Sequence, residues 1–194
     1  REAAEDAPLN RVGEKMFDER VTIYSDPAHR DVPTPAFAGD GHAVDRTVWI
    51  DKGVVKVLPN SRYWAKKTGV PYQPTAYTGG GIFGGNTQFI MEGGDRSLEE
   101  MIADTRRGVL VTRTWYIRSV DPQTLLYTGL TRDGTFYIED GEIKYPIKNF
   151  RFNESPIVML NNIEELGKPV RINGRMVPPM KIRDFTFSSL SDAV

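Results

Sequence analysis

The chain has 194 residues and carries 25 Lys and Arg against 26 Asp and Glu, a formal net charge of −1 at pH 7. That balance supplies no bulk field to draw a nucleic acid or an anionic membrane surface, so neither is expected as a partner. Cysteine is absent, which removes disulfides, thiolate nucleophiles and zinc–thiolate sites from this chain's chemistry. No apolar run reaches the length of a membrane span.

The opening "REAAEDAPLN" is polar, without an initiator Met or an apolar signal segment. Residues 1–12 are expected to fray, residues 13–194 to form one domain, and the chain to be a fragment or processed product. "RVTIYSD" (Arg20–Asp26) reads as a short strand, followed by a Pro- and Gly-rich loop. "RTVWIDKGVVKVLPN" (Arg46–Asn60) is a hairpin about Asp51-Lys52-Gly53. "SRYWAKKTG" predicts one or two helical turns, capped by Ser61 and closed by Gly69 at the C′ position.

"VPYQPTAYTGGGIFGGN" keeps no hydrophobic period and reads as a long loop, with Gly79, Gly80, Gly81, Gly84 and Gly85 as a candidate flexible flap between Tyr77 and Asn86. "TQFIMEGG" reads as a strand. "SLEEMIADTRRG" predicts a helix with Ser97 and Glu100 as a capping box and Leu98, Met101, Ile102 and Thr105 on its buried face. Val109–Val120 has β-formers at nearly every position. After the Asp121-Pro122 turn, Asp133-Gly134 and Asp140-Gly141 predict back-to-back hairpin turns, because Asp-Gly suits the left-handed positions of a type I′ turn. A helix is predicted from an N-cap at Ser155, with Pro156 at N1, to Leu166. Asn173-Gly174 makes a further hairpin, and "MKIRDFTF" (Met180–Phe187) alternates as a strand. The fold class is α+β, mainly β: mixed and antiparallel sheets with hairpin meanders and two to three short helices packed against them.

Little here resembles a catalytic constellation. Gly79, Gly81 and Gly84 satisfy G-x-G-x-x-G but lack the strand before and helix behind that dinucleotide binding requires. His29 and His42 are the only histidines; both fall in loops, without helical spacing for one metal. No serine sits in a nucleophile elbow, and the acidic turn residues are explained by turn chemistry. Asn153-Glu154-Ser155 spells a glycosylation sequon, but Ser155 reads as a helix cap. Arg113 shares a strand face with Val109, Val111, Trp115 and Ile117, so it should snorkel, pair with a buried carboxylate, or face a ligand. Arg113, Trp115, Arg132, Asn149, Arg151 and Asn153 are the candidate binding residues. No catalytic residue and no metal ligand is assigned.

The run from Gly108 to Gly167, "GVLVTRTWYIRSVDPQTLLYTGLTRDGTFYIEDGEIKYPIKNFRFNESPIVMLNNIEELG", resembles the C-terminal domain of the TldD/PmbA family, also called peptidase family U62 and once labelled modulators of DNA gyrase. "ERVTIYSDP", "TVWIDKGVVKVL", "SRYWAKKTG" and "MVPPMKIRDFTFSSLSDAV" match the same family in order. The resemblance implies a cytoplasmic zinc metallopeptidase system in which two homologous subunits enclose a cavity and cut unfolded or extended peptides. It implies a homodimer, or a heterodimer with a TldD/PmbA paralogue. It further implies that zinc belongs to a catalytic subunit type, held by an H-E-x-x-x-H helix upstream of the present start and a cysteine of the C-terminal domain. Near the matching position this chain reads "GKPVRIN" (Gly167–Asn173), so no zinc ligand carries over and no cofactor is expected within it. A scaffold module forming a β-rich dimer and a carbohydrate-binding domain are the alternatives.

Overall fold

The computed structural model describes residues 11–75 and 88–191. In chain order the strands are β1 (Ile23–Ser25), β2 (Thr47–Asp51), β3 (Val54–Val55), β4 (Ile90–Met91), β5 (Arg107–Asp121), β6 (Leu126–Glu139), β7 (Glu142–Pro146), β8 (Asn149–Glu154), β9 (Ile163–Leu166), β10 (Val170–Ile172), β11 (Arg175–Val177), β12 (Met180–Ile182) and β13 (Phe187–Ser191). The helices are α1 (Arg62–Thr68), α2 (Leu98–Ala103) and α3 (Pro156–Asn161). The mainly β class expected of the sequence is what folds. Among the described residues no helix is long and apolar enough to cross a membrane.

The chain divides into two compact units, Arg1–Glu92 with Pro169–Val177, and Gly93–Lys168 with Pro178–Val194. The first unit is built on a sheet of order β10-β11-β4-β1-β2-β3. All neighbours are antiparallel except β11 and β4, which meet in parallel at Met176 and Ile90. Val21, Ile23, Val32, Trp49, Ile50, Val55, Ile90 and Met91 are buried in this unit. The Trp49 indole N–H donates to Ser25 Oγ at 3.1 Å, so the largest core ring has its polar atom satisfied. Lys52 and Gly53, with φ of 48° and 80°, form the left-handed pair that closes the β2–β3 hairpin. Ser61 caps α1 by accepting from Trp64 N, and Gly69 ends it at φ 73°. The strand expected of "TQFIMEGG" reduces to the two residues of β4.

The second unit carries a sheet of order β13-β8-β6-β5, with β7 also pairing β6. Strand β6 is the spine. β5 runs along one side of it, while β8 takes its first half (Tyr127↔Glu154 to Leu130↔Arg151) and β7 its last (Phe136↔Pro146 to Glu139↔Glu142) on the other. One face of this sheet is internal: Gly129, Thr131, Phe152 and Glu154 are buried, and Phe152, Phe185, Phe187 and Phe150 stack in a chain of rings about 5 Å apart. The Glu154 carboxylate accepts from the backbone N–H of Ser155 (2.8 Å) and of Thr186 (3.0 Å), which satisfies a charge that burial would otherwise penalise. β9 and β12 form a separate antiparallel pair.

Several expectations need correction here. The helix expected over Ser97–Gly108 keeps its capping box, with Ser97 Oγ accepting from Glu100 N and Glu100 Oε2 from Ser97 N. It stops at Ala103, because Thr105 and Arg106 give their carbonyls to Gly141 and Asp140 N–H and lead into β5. The helix expected to reach Leu166 ends at Asn161; Ile163 and Leu166 are instead buried by pairing with Ile182 and Met180. Ser155 stands at the N-cap position, but its hydroxyl donates to Thr124 O rather than capping. Asp133-Gly134 is no hairpin turn: β6 runs through it. Asp133 and Gly134 (φ 60° and 134°) form a bulge opposite Thr112, and the turn after it, Asp140-Gly141, is the true one. "MKIRDFTF" breaks at Asp184, φ 55°, into β12 and β13.

Candidate docking face

Strand β5 is an edge. Among the described residues it pairs only with β6, and residues 112–120 are exposed at every position. An edge of this length presents a row of N–H and C=O groups able to bond a further strand, which soluble proteins normally shorten or cover. Here it carries exposed apolar side chains, Trp115 (41%), Tyr116 (53%), Ile117 (53%) and Val120 (55%). Exposed apolar side chains grouped in this way mark an interaction surface.

Register decides which side chains share the outer face. Arg113 lies opposite Arg132 and Trp115 opposite Leu130 in β6, and Leu130 and Thr128 lie opposite Arg151 and Asn153 in β8. Directly paired residues point to the same side of a sheet. Arg113, Trp115, Arg132, Arg151 and Asn153, which the sequence singled out, therefore stand together. The guanidinium carbons of Arg113 and Arg132 lie 5.0 and 4.9 Å from the Trp115 ring centroid. Asp133 pairs with both, at 2.5 Å to Arg113 and 3.4 Å to Arg132. Arg113, for which snorkelling, a buried carboxylate or a ligand stood as alternatives, thus finds a carboxylate that is itself exposed. Arg151 Nη1 reaches Thr128 Oγ1 at 3.5 Å.

Asn149 stands where β8 begins. Its Oδ1 accepts from the hydroxyls of Thr135 (2.9 Å) and Thr131 (3.2 Å), at the point where β8 begins beside β6. Those threonines are 2% and 1% exposed, so Asn149 satisfies an interior polar cluster. The glycine flap candidates Gly79, Gly80, Gly81, Gly84 and Gly85 lie outside the described residues.

Sequence reading missed Arg118. By simple alternation it opposes Arg113 and Trp115. In the structure Tyr116, at φ 54°, and Ile117 together face the single residue Gly129, and pairing resumes at Arg118↔Thr128. Because Thr128 and Leu130 share a side, this bulge carries Arg118 onto the Trp115 face and removes Ile117 from the alternation that sequence had assumed. Its guanidinium carbon lies 4.1 Å from the Tyr116 ring centroid. Nothing in the sequence flags the bulge, since Tyr is not a residue that favours positive φ.

Among the described residues, His, Asp and Glu side chains stand singly or in pairs. No three His, Cys, Asp or Glu side chains converge there. His29 Nδ1 accepts from Asp31 and Val32 N–H and organises its own loop. His42 lies edge-on to Tyr72, whose hydroxyl donates to Asp40, holding the Asp40 carboxyl below its ordinary range. These residues do not fit a zinc site.

Comparison with known proteins agrees with this architecture. Residues 3–189 match the family model described as PmbA/TldA metallopeptidase C-terminal domain. A protein of Methanothermobacter thermautotrophicus named metalloprotease is 29% identical over 171 residues, covering 84% of this chain and 36% of its own length. The crystal structure of TldE from Thermococcus kodakarensis superposes with a TM-score of 0.76 at 27% identity, over 92% of this chain and 42% of that one. A crystal structure from Bacteroides thetaiotaomicron gives a TM-score of 0.78 at 26% identity, over 94% of this chain and 39% of that one. The chain thus spans about two fifths of the length of these relatives, and by its family match it belongs to the PmbA/TldA metallopeptidase C-terminal domain family.

Proposed function

We propose that this domain is a substrate-lining and subunit-pairing part of a metallopeptidase assembly that acts on unfolded or extended peptides, and that it supplies no zinc ligand itself. The observation that carries this reading is the edge of β5, unpaired among the described residues and exposed over residues 112–120, Trp115 included. An extended peptide can add to such an edge through main-chain hydrogen bonds, gaining affinity without dependence on its sequence. The domain would hold the peptide in strand form while the water-activating metal sits in another part of the assembly. The apolar row Trp115, Tyr116, Ile117 and Val120 also favours a second reading, in which the edge serves only to pair subunits.

One experiment separates the two. A full-length family protein carrying this domain is reconstituted with a paralogue and given an unstructured peptide, with and without zinc. Zinc-dependent cleavage, together with slowed amide exchange over residues 112–120 of this chain when peptide is added, supports substrate lining. Pairing without cleavage supports the scaffold reading, and chelator-sensitive cleavage by the present chain alone overturns the assignment of metal chemistry to other parts.

A further inference from the structure

The outer face beside the β5 edge is unbalanced in charge. It gathers four guanidiniums, those of Arg113, Arg118, Arg132 and Arg151, on three adjacent strands. Among the described residues, register and ion pairing bring two carboxylates of these strands to the same side. Asp133 is engaged by Arg113 and Arg132. Asp121, at the far turn, accepts from Gln123 N (2.9 Å) and the Thr124 hydroxyl (2.8 Å), and these bonds hold its carboxyl below the usual range. Arg118 rests on the Tyr116 ring and Arg151 reaches only Thr128, so neither has a carboxylate partner among the described residues.

Resting on the substrate-lining reading, we propose that this face selects extended peptides carrying two acidic side chains four positions apart with an apolar residue midway. The spacing follows from the bulge. A neighbouring strand that steps past Tyr116 and Ile117 as β6 does sets positions i, i+2 and i+4 against Arg113, Trp115 and Arg118. Acids at i and i+4 then meet guanidiniums, with which carboxylates form charge-assisted, often two-pronged hydrogen bonds. The residue at i+2 covers the half-exposed Trp115 ring. A second copy of this chain is the wrong occupant, because it would bring the same four guanidiniums against this row. A nucleic acid offers anions and stacking bases, but it has no backbone that can bond a strand edge.

The test uses this chain and a set of labelled eleven-residue peptides read by fluorescence anisotropy. The reference peptide has Asp at i and i+4, Leu at i+2 and Thr or Ser elsewhere. It should bind about tenfold more tightly than the same peptide with Lys for Asp, and the preference should shrink as salt is raised. Moving the second Asp to i+3, which no register shift can bring to the same side, should cost about threefold. N-methylation of alternate residues, tried in both phases, should abolish binding in one phase, as loss of strand addition requires. Arg118→Gln should reduce the acidic preference to about threefold, and Arg118→Lys should retain most of it, with circular dichroism confirming the fold. Equal binding of acidic, neutral and basic peptides that N-methylation still blocks would overturn the acidic selection and leave the edge reading standing. No binding by any peptide would overturn both. An oligonucleotide of matched charge binding as tightly as the acidic peptide would also overturn the proposal, leaving a general polyanion face.

Discussion

Gly129 lies in the middle of β6, directly opposite Phe152 of β8. A methyl group built on it would stand 2.7 Å from Phe152 Cε1 and closer still to Cζ. The ring lies over the glycine because no side chain is there to keep it away. Phe152 is 5% exposed and packs 5.4 Å from Phe185, which packs 5.1 Å from Phe187. To regain ordinary carbon contact the ring must move about 1 Å into that chain of rings, and overpacking of this kind costs about 1–3 kcal/mol. Gly129→Ala also stiffens the unfolded chain, which returns about 0.5–1 kcal/mol. The net expectation is a loss of about 1–2 kcal/mol, or about 3–7 °C in melting temperature for a chain of this size. Urea and thermal unfolding followed by circular dichroism measure it. Phe152→Leu should destabilise by itself, yet adding it to Gly129→Ala should make the pair milder than the sum by about 1 kcal/mol. Strict additivity, or a stabilised Gly129→Ala, would refute the reasoning that the ring occupies the glycine's space.

Two further expectations concern the first unit. Gly53→Ala combines a left-handed φ of 80° with a methyl group driven into the Phe17 carbonyl oxygen and to 2.8 Å of the Asp18 oxygen; because backbone cannot step aside as a ring can, thermal melts should show a loss of about 3 kcal/mol or failure to fold. Asp18 accepts from Arg20 N, Nε and Nη2 at 2.9, 2.7 and 2.9 Å, and the Arg20 guanidinium chiefly holds its carboxyl down at about 2. A depressed carboxyl contributes stability above its unfolded value near 3.8, and that contribution is lost as pH falls toward 2. With Arg20 43% exposed, water screens the pair to about 1 kcal/mol. Asp18→Asn should therefore show that deficit in urea titrations at pH 7 and progressively less of it as pH falls toward 2; an equal deficit at both ends would count against the ion pair.

Signals confined to a few neighbouring residues were legible in the sequence. The Ser97–Glu100 box, the Ser61 and Gly69 caps, the Asp140-Gly141 and Asn173-Gly174 turns and the long strand around Val109–Val120 each depend on local sterics and hydrogen bonds, and they form as read. What pairing across the sheet decides was not legible. Asp133-Gly134 has the same dipeptide as the true turn, yet β5 continues alongside it and converts it to a bulge. Ile163–Leu166 extends a helical pattern, yet β12 supplies a strand partner that outweighs it. The candidate residues Arg113, Trp115, Arg132, Arg151 and Asn153 share a face because they alternate on paired strands. Arg118 was hidden by a one-residue slip, and the two threonine partners of Asn149 lie 14 and 18 positions away, beyond the reach of local pattern.

The path of the chain has a consequence for how the molecule is made. The sheet begun by β1–β4 is finished by β10 and β11, which arrive only after the whole of Gly93–Lys168 has been synthesised. Until Val177 leaves the ribosome, β4 has no neighbour on its second side among the described residues, so that sheet must wait, incomplete, for a return visit from the same polypeptide. A protease cutting near Glu92 would separate covalent pieces without yielding two finished folds, and the smallest heritable segment able to complete that sheet runs through Val177.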